Sequence, residues 1–196
     1  MDGIIIINKP KGFTSHDVVA VLRKTLSTKK VGHTGTLDPN ATGVLPILVG
    51  QATKLSKYLI EHDKTYIATL KLGEKTDTGD GEGNIIESKN VNCVSEQIEQ
   101  VLETFIGKQK QIPPMYSAVK VDGKKLYEYA RKDLEPERKP RDIDIYSITL
   151  IKFDNNEVVF EVSCSKGTYI RTLCEDIASR LGTVGYMKEL ERTVSR

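Results

Sequence analysis

One carboxylate in the sequence is placed where chemistry would use it. Asp38 is the sole acidic residue between Asp17 and Glu61, in the stretch GHTGTLDPNATG (32–43), which has neither helical nor strand period. Gly32, Gly35 and Gly43 can take positive φ, and Pro39 biases Asp38 toward an extended backbone. An irregular stretch of this length in a compact chain is more often a functional loop than a connector. The apolar run 44–49 that follows has strand length, so the loop is pinned at one end, which suits a catalytic carboxylate.

Other chemistries find no footing. Cys93, Cys164 and Cys174 form no CxxC pair and have no neighbouring histidine, so they read as reduced structural thiols. His16, His33 and His62 make neither an HExxH motif nor an i,i+4 pair, so zinc has no site and no metal is expected. The loop TDTGDGEGN (76–84) fails as a calcium loop: counted from Asp77, positions six and twelve are Glu82 and Ser88 instead of Gly and Glu. A solvated hairpin-like loop is the better reading.

The net charge of +2 is unevenly spread: residues 1–57 carry +5, residues 58–107 carry −6 and residues 108–196 carry +3. Lys9, Lys24 and Lys30 fall in the first block; Lys120, Lys124 and Lys125 precede further arginines and are interleaved with Tyr116, Tyr127 and Tyr129. Mixed basic and aromatic residues are what looped RNA binding uses. No apolar run is long enough to span a bilayer, and the acidic start MDGIIIINKPKG is no signal peptide, so a cytoplasmic location is expected.

The elements that must position these residues alternate irregularly. Strands are expected at 3–8, 44–49, 64–73, 143–153, 158–164 and 184–194; helices at 15–27 (capped by Ser15), 53–62, 95–105 (capped by Ser95), 124–132 and 169–181. That order argues an α+β fold with a mostly antiparallel mixed sheet and helices packed beside it. Arg171 falls in the first turn of the last helix, where the helix dipole disfavours a cation, so it needs an anion or a functional reason.

Five stretches in order, NKPKGFTS (8–15), GHTGTLDPNATGVL (32–45), KTYIATLKLGEKTDTGDGEG (64–83), PPMYSAVKVDGKKLYEYAR (113–131) and GTYIRTLCEDIA (167–178), resemble the bacterial tRNA pseudouridine-55 synthases, the TruB family. The resemblance covers essentially the whole chain. It implies the pseudouridine synthase fold over residues 1–196 and isomerisation of one uridine in the tRNA T-loop, without a cofactor. By position, Asp38 is the catalytic aspartate, Tyr66 the aromatic against the target base and Arg171 the ion-pair partner of Asp38. His33 lies where the family has a histidine near the flipped-out nucleotide, and Leu190 resembles the leucine of the last short motif.

The expected partner is therefore the T-arm of tRNA, with no membrane, and a monomer is expected. Family members usually continue into a small C-terminal PUA domain that this chain lacks, so a fragment of a longer protein is the expectation. The aspartate can act by taking a proton from the sugar or by covalent attack; both require it ionised, and a guanidinium beside it serves that need. The competing class, a non-catalytic RNA-binding module, would need the basic face but not Asp38, Tyr66 and Arg171 together.

Overall fold

The computed structural model of the chain describes residues 1–59, 62–132 and 134–195. In chain order it runs β1 (Gly3–Lys9), α1 (Ser15–Thr25), β2 (Val31–His33), β3 (Thr42–Val49), a 3-10 turn (Gly50–Leu55) and α2 (Ser56–Leu59). Then come β4 (Lys64–Leu72), the hairpin β5 (Glu74–Thr76) and β6 (Ile85–Ser88), α3 (Ser95–Glu103) and β7 (Gly107–Gln111). A small hairpin of β8 (Lys120–Val121) and β9 (Lys124–Lys125) leads to α4 (Leu126–Ala130), β10 (Arg141–Asp154), β11 (Glu157–Cys164), α5 (Ile170–Arg180) and β12 (Gly185–Ser195).

The main sheet has the order β1-β3-β12-β4-β11-β10-β7, with β2 also paired to β3. Every pairing in it is antiparallel except β3 with β12, which meet in parallel only at Thr42 and Gly43 against Glu191 and Arg192. This is the expected α+β architecture. β4 alternates buried and half-buried along its whole length, and its buried set of Tyr66, Ala68, Leu70 and Leu72 belongs to the same core as Leu173, Ile177 and Ala178 of α5. α5 packs on β12 and β4, and α3 on β10.

The register places the Asp38 loop. β1 pairs with β3 from Gly43 to Val49, which occupies one edge of β3. On the other edge β2 covers Ile47 to Val49 and β12 covers Thr42 and Gly43. Residues 34–41 leave the sheet between the end of β2 and the β12 contact, so the loop rises beside the β3–β12 junction. Gly43 has φ +101°, and a Cβ there would lie 2.8 Å from the Arg192 nitrogen. Only glycine lets β12 approach β3 at this point.

Some local expectations need correction. The cap of α1 is Thr14, whose hydroxyl accepts from the Asp17 N–H while Asp17 accepts from the Thr14 N–H. α3 is capped one residue before Ser95, the Gln97 side chain accepting from the Val94 N–H at 3.1 Å. The helix expected at 53–62 is a 3-10 turn followed by the short α2, entered through Gly50 at positive φ with the Asp2 carboxylate accepting from the Gln51 N–H at 2.7 Å. Positions 60 and 61 of that expected helix lie outside the described residues, and His62 is not helical. The helix expected at 124–132 is confined to α4, because Asp122 and Gly123 turn the chain at positive φ and pair Lys124 and Lys125 as β9.

Gly185 opens β12 beneath α5, where an added Cβ would lie 2.7 Å from Leu70 Cδ1 and 2.8 Å from Ala178 Cβ. Gly185→Ala is expected to destabilise the fold by about 1–3 kcal/mol through overpacking, read as a lowered urea midpoint. Gly3→Ala, which meets nothing within 4 Å, is the matched control.

Candidate active site

The Asp38 loop is held by side chains from both sides of its turn. Asp38, Pro39, Asn40 and Ala41 form a β-turn closed by the Ala41 N–H donating to the Asp38 carbonyl at 3.1 Å, with proline at the position whose φ it presets. One residue earlier, Ser15 Oγ accepts from the Leu37 N–H at 2.9 Å and donates to the Leu37 carbonyl at 3.3 Å. Ser15 therefore ties the loop to α1 instead of capping the helix. On the outer side Asn40 Nδ2 donates to Glu82 at 2.6 Å.

Arg171 gathers the site. From the first turn of α5 its Nε lies 3.3 Å from Asp38 Oδ2, so the expected ion pair is formed. Its Nη1 is 3.5 Å from Asp80 Oδ2, while Nη2 donates to the Tyr116 carbonyl at 2.7 Å. The Arg171 side chain is only 9% exposed, whereas Asp38 is 41% exposed. The cation is thus inside and its carboxylate partner faces out, available to a substrate. Asp80 is the residue that sequence reading missed. It sits in the loop tested for calcium, but its Oδ1 accepts from Thr78 Oγ1 and its Oδ2 faces Arg171, so the loop is only partly solvated.

A second layer of buried cations lies under the loop. Lys9, expected among the RNA-contacting lysines, is fully buried, and its ammonium donates to the carbonyls of Pro10, Phe13 and Pro39 at 3.0, 2.6 and 3.0 Å. Burial pushes that ammonium down, opposed by the nearby Asp38 carboxylate. As placed, Lys9 braces the loop and offers no phosphate contact. Arg192 is 1% exposed and donates from Nε to the Val44 carbonyl at 2.7 Å and from Nη2 to the Gly35 carbonyl at 3.2 Å. It stands opposite Tyr66 in the β4–β12 ladder.

Tyr66 is 8% exposed. Burial pushes its hydroxyl up to about 12, so at neutral pH it is an uncharged ring and hydrogen-bonding group. Leu190 is half-buried and lines, with Asp38, Asn40, Asp80 and Glu82, a cleft of about 20 Å³. That is room for little more than a single water, so a base entering here must widen it. A cavity of about 310 Å³ bordered by Asp63, Lys64, Thr65, Tyr146 and Ser163 contains neither Asp38 nor Arg171. Thr65 neighbours Tyr66 on the strand and so points to the opposite face. Volume alone would misplace the site.

Of the remaining expected contacts, Lys24, Lys30 and Lys124 are exposed, and Lys125 is half-buried with its ammonium 5.3 Å from the Tyr127 ring centroid. Burial pushes the Cys164 thiol up to about 11 and raises that of Cys174 as well, so both remain protonated structural thiols.

His33 ends β2 beside this layer. Its Nδ1 is buried without a hydrogen-bond partner, and its ring stands edge-on to His16 with centroids 5.3 Å apart. Burial, then the His16 and Arg192 charges, lower its pKa below 6.5. Below pH 6.5 the unfolded chain takes up a proton that the folded state refuses, so this residue's contribution to stability is lost as pH falls from 6.5 toward the folded pKa. His33→Gln is expected to lose less stability than the parent between pH 7.5 and pH 5, measured by urea denaturation. An equal loss in both proteins would contradict this account.

Known proteins are similar to this chain in sequence and in fold. Residues 23–170 match the TruB family pseudouridylate synthase N-terminal domain. The chain is 55% identical over 195 residues to tRNA pseudouridine synthase B of Alkaliphilus oremlandii, covering 100% of this chain and 65% of that protein. It is 54% identical over 194 residues to the tRNA pseudouridine synthase B of Hydrogenovibrio crunogenus, covering 98% of this chain and 64% of the relative. The chain thus spans just under two thirds of the length of these relatives. Among solved structures, a chain of a Cbf5–Nop10–Gar1 complex is 34% identical with a TM-score of 0.78, covering 98% of this chain and 48% of that one. A chain of an H/ACA ribonucleoprotein bound to a substrate RNA containing 2′-deoxyuridine is 31% identical with a TM-score of 0.73, covering 98% and 47%. The match over most of the chain, joined to this fold, shows that the chain belongs to the TruB family of pseudouridylate synthases.

Proposed function

We propose that this chain is the catalytic unit of an enzyme that converts uridine to pseudouridine in the T-loop of tRNA, at position 55. The observation that carries the reading is the outward-facing Asp38 carboxylate, paired to the buried Arg171 at 3.3 Å on a tethered turn. The names of the relatives support tRNA as the substrate. In the reaction the C1′–N1 bond breaks, the uracil turns, a C1′–C5 bond forms, the C5 proton leaves and N1 gains one. The product is an isomer, so no redox partner or group donor is consumed.

Asp38 acts on the ribose, by taking a proton from the sugar or by covalent attack, and either step starts from the ionised carboxylate that Arg171 holds. Tyr66 lies beside the loop as a neutral aromatic, and stacking on an extruded base is worth about 1–3 kcal/mol against the few that extrusion costs. The 20 Å³ cleft fits a site that opens when the flipped nucleotide enters. Leu190 and His33 then border the base and its neighbours. The exposed Lys24, Lys30 and Lys124, with Lys125, supply phosphate contacts. The enzyme works as a monomer in the cytoplasm; among the described residues no helix is long and apolar enough to cross a membrane.

Release of tritium from C5-labelled uridine in a T-arm RNA tests the reading, and no release from the intact chain would overturn it. Asp38→Asn is expected to abolish release while leaving the circular dichroism spectrum and RNA binding unchanged, because Arg171 keeps Asp80 and two carbonyls as partners. Turnover above about a tenth of the parent rate would reject Asp38 as the catalytic group.

Binding should weaken with salt, since each phosphate contact releases counterions, with a log–log slope of roughly −0.7 per contact in single-stranded RNA. Neutralising Lys24 and Lys30, or Lys124 and Lys125, to Gln is expected to flatten that slope without changing the single-turnover rate at saturating RNA. An unchanged slope in both double variants would remove these lysines from the interface.

A further inference from the structure

A buried guanidinium ordinarily has a carboxylate beside it, since an uncompensated buried charge is expensive. Arg192 has none among the described residues. The acceptors recorded for it are the Gly35 and Val44 carbonyls, and it stands opposite Tyr66 on the neighbouring strand. Gly35 precedes Asp38 and Val44 follows it, so one side chain grips the loop at both ends. The grip is reinforced through the backbone, because β12 meets β3 at Arg192 against Gly43, a contact that any Cβ at Gly43 would prevent. Gly35 is in ordinary contact with the same side chain, a Cβ there lying 3.5 Å from Arg192 Nη1, but its φ of +96° still favours glycine.

We propose that Arg192 is a positioning residue of the isomerase: its buried guanidinium fixes both ends of the Asp38 loop against Tyr66, so that carboxylate and aromatic ring meet the substrate in one fixed relation. Arg192 itself touches no substrate, being 1% exposed. The guanidinium has five N–H donors and no acceptor. Two of these donors are spent on the Gly35 and Val44 carbonyls. Arg171 and Arg192 divide the work: one sets the charge and direction of the carboxylate, the other sets where the loop stands.

The inference rests on the isomerase reading, and its test separates the two. Arg192→Met and Arg192→Lys are compared with the parent and with Gly185→Ala, a destabilising change away from the loop. Hydrogen exchange is read in peptides covering residues 33–45, in α3 and in β10, together with the single-turnover rate and RNA affinity. In Arg192→Met, loop exchange is expected to rise at least about tenfold while α3 and β10 stay unchanged. Its single-turnover rate at saturating RNA is expected to fall about 100-fold, the order that a 1 Å misplacement costs, with RNA affinity within about threefold of the parent. Arg192→Lys keeps the charge but cannot span two carbonyls with a planar fork, so it should regain less than about a tenth of the parent rate. Gly185→Ala, assayed well below its melting temperature, should retain its rate.

Full recovery by lysine, a rate in Arg192→Met within about threefold of the parent, or exchange rising equally throughout the sheet would each overturn the proposal. If Arg192→Met does not fold, Arg192→Lys decides by the same measurements. A parent protein that releases no tritium would defeat the isomerase reading instead. Loop exchange would then still show whether Arg192 fixes the loop.

Discussion

The structure depends on a rule about buried cations: a guanidinium or ammonium taken out of water must find an acceptor for its donors. Arg171, Arg192 and Lys9 are all buried, and each finds those acceptors largely in backbone carbonyls. An irregular loop across a sheet has the opposite need, since its carbonyls lack a ladder to pair with. The two needs cancel. Gly35, Pro39 and Val44 give up their carbonyls to side chains arriving from β12 and β1, and the loop becomes as fixed as a strand without being one.

Asp38 stands at the open rim of this network, 41% exposed although paired to Arg171. Arg171 faces two carboxylates, so Asp80 gives the guanidinium a partner even when Asp38 is engaged elsewhere. The guanidinium therefore keeps a partner when the Asp38 carboxylate turns away.

Much of this was legible in the residues. Asp38 stood out by isolation, and Arg171 by lying at the wrong end of a helix dipole, which reported a partner out of sequence view. The alternation of β4 and the Asn155–Asn156 turn, both residues at positive φ, made the antiparallel sheet readable. What escaped were features decided by tertiary contact. Nothing in the sequence distinguishes Lys9, which folds inward, from Lys11, which stays in solvent and meets Glu189 at 3.7 Å. Asp80 was judged by the spacing of its own loop, whereas its partner comes from α5. Arg192 looked like any charge on a strand, and β2 and β7 were too short or too polar to carry a period. Ser15 satisfied the rule for a cap but serves Leu37, because Thr14 with Asp17 is the better box.

The sheet order has a consequence for how the chain is made. β12, residues 185–195, lies between β3 and β4 in the interior of the sheet, although it follows β11 in sequence. A nascent polypeptide that has completed β11 still carries an open slot, with unpaired edges on β3 and β4 and no Arg192 behind the loop. Such edges are templates for pairing with other chains. The sheet is therefore closed, and the Asp38 loop backed by Arg192, only once β12 has paired with β4 and met β3. Assembly of the domain and assembly of its site are the same event.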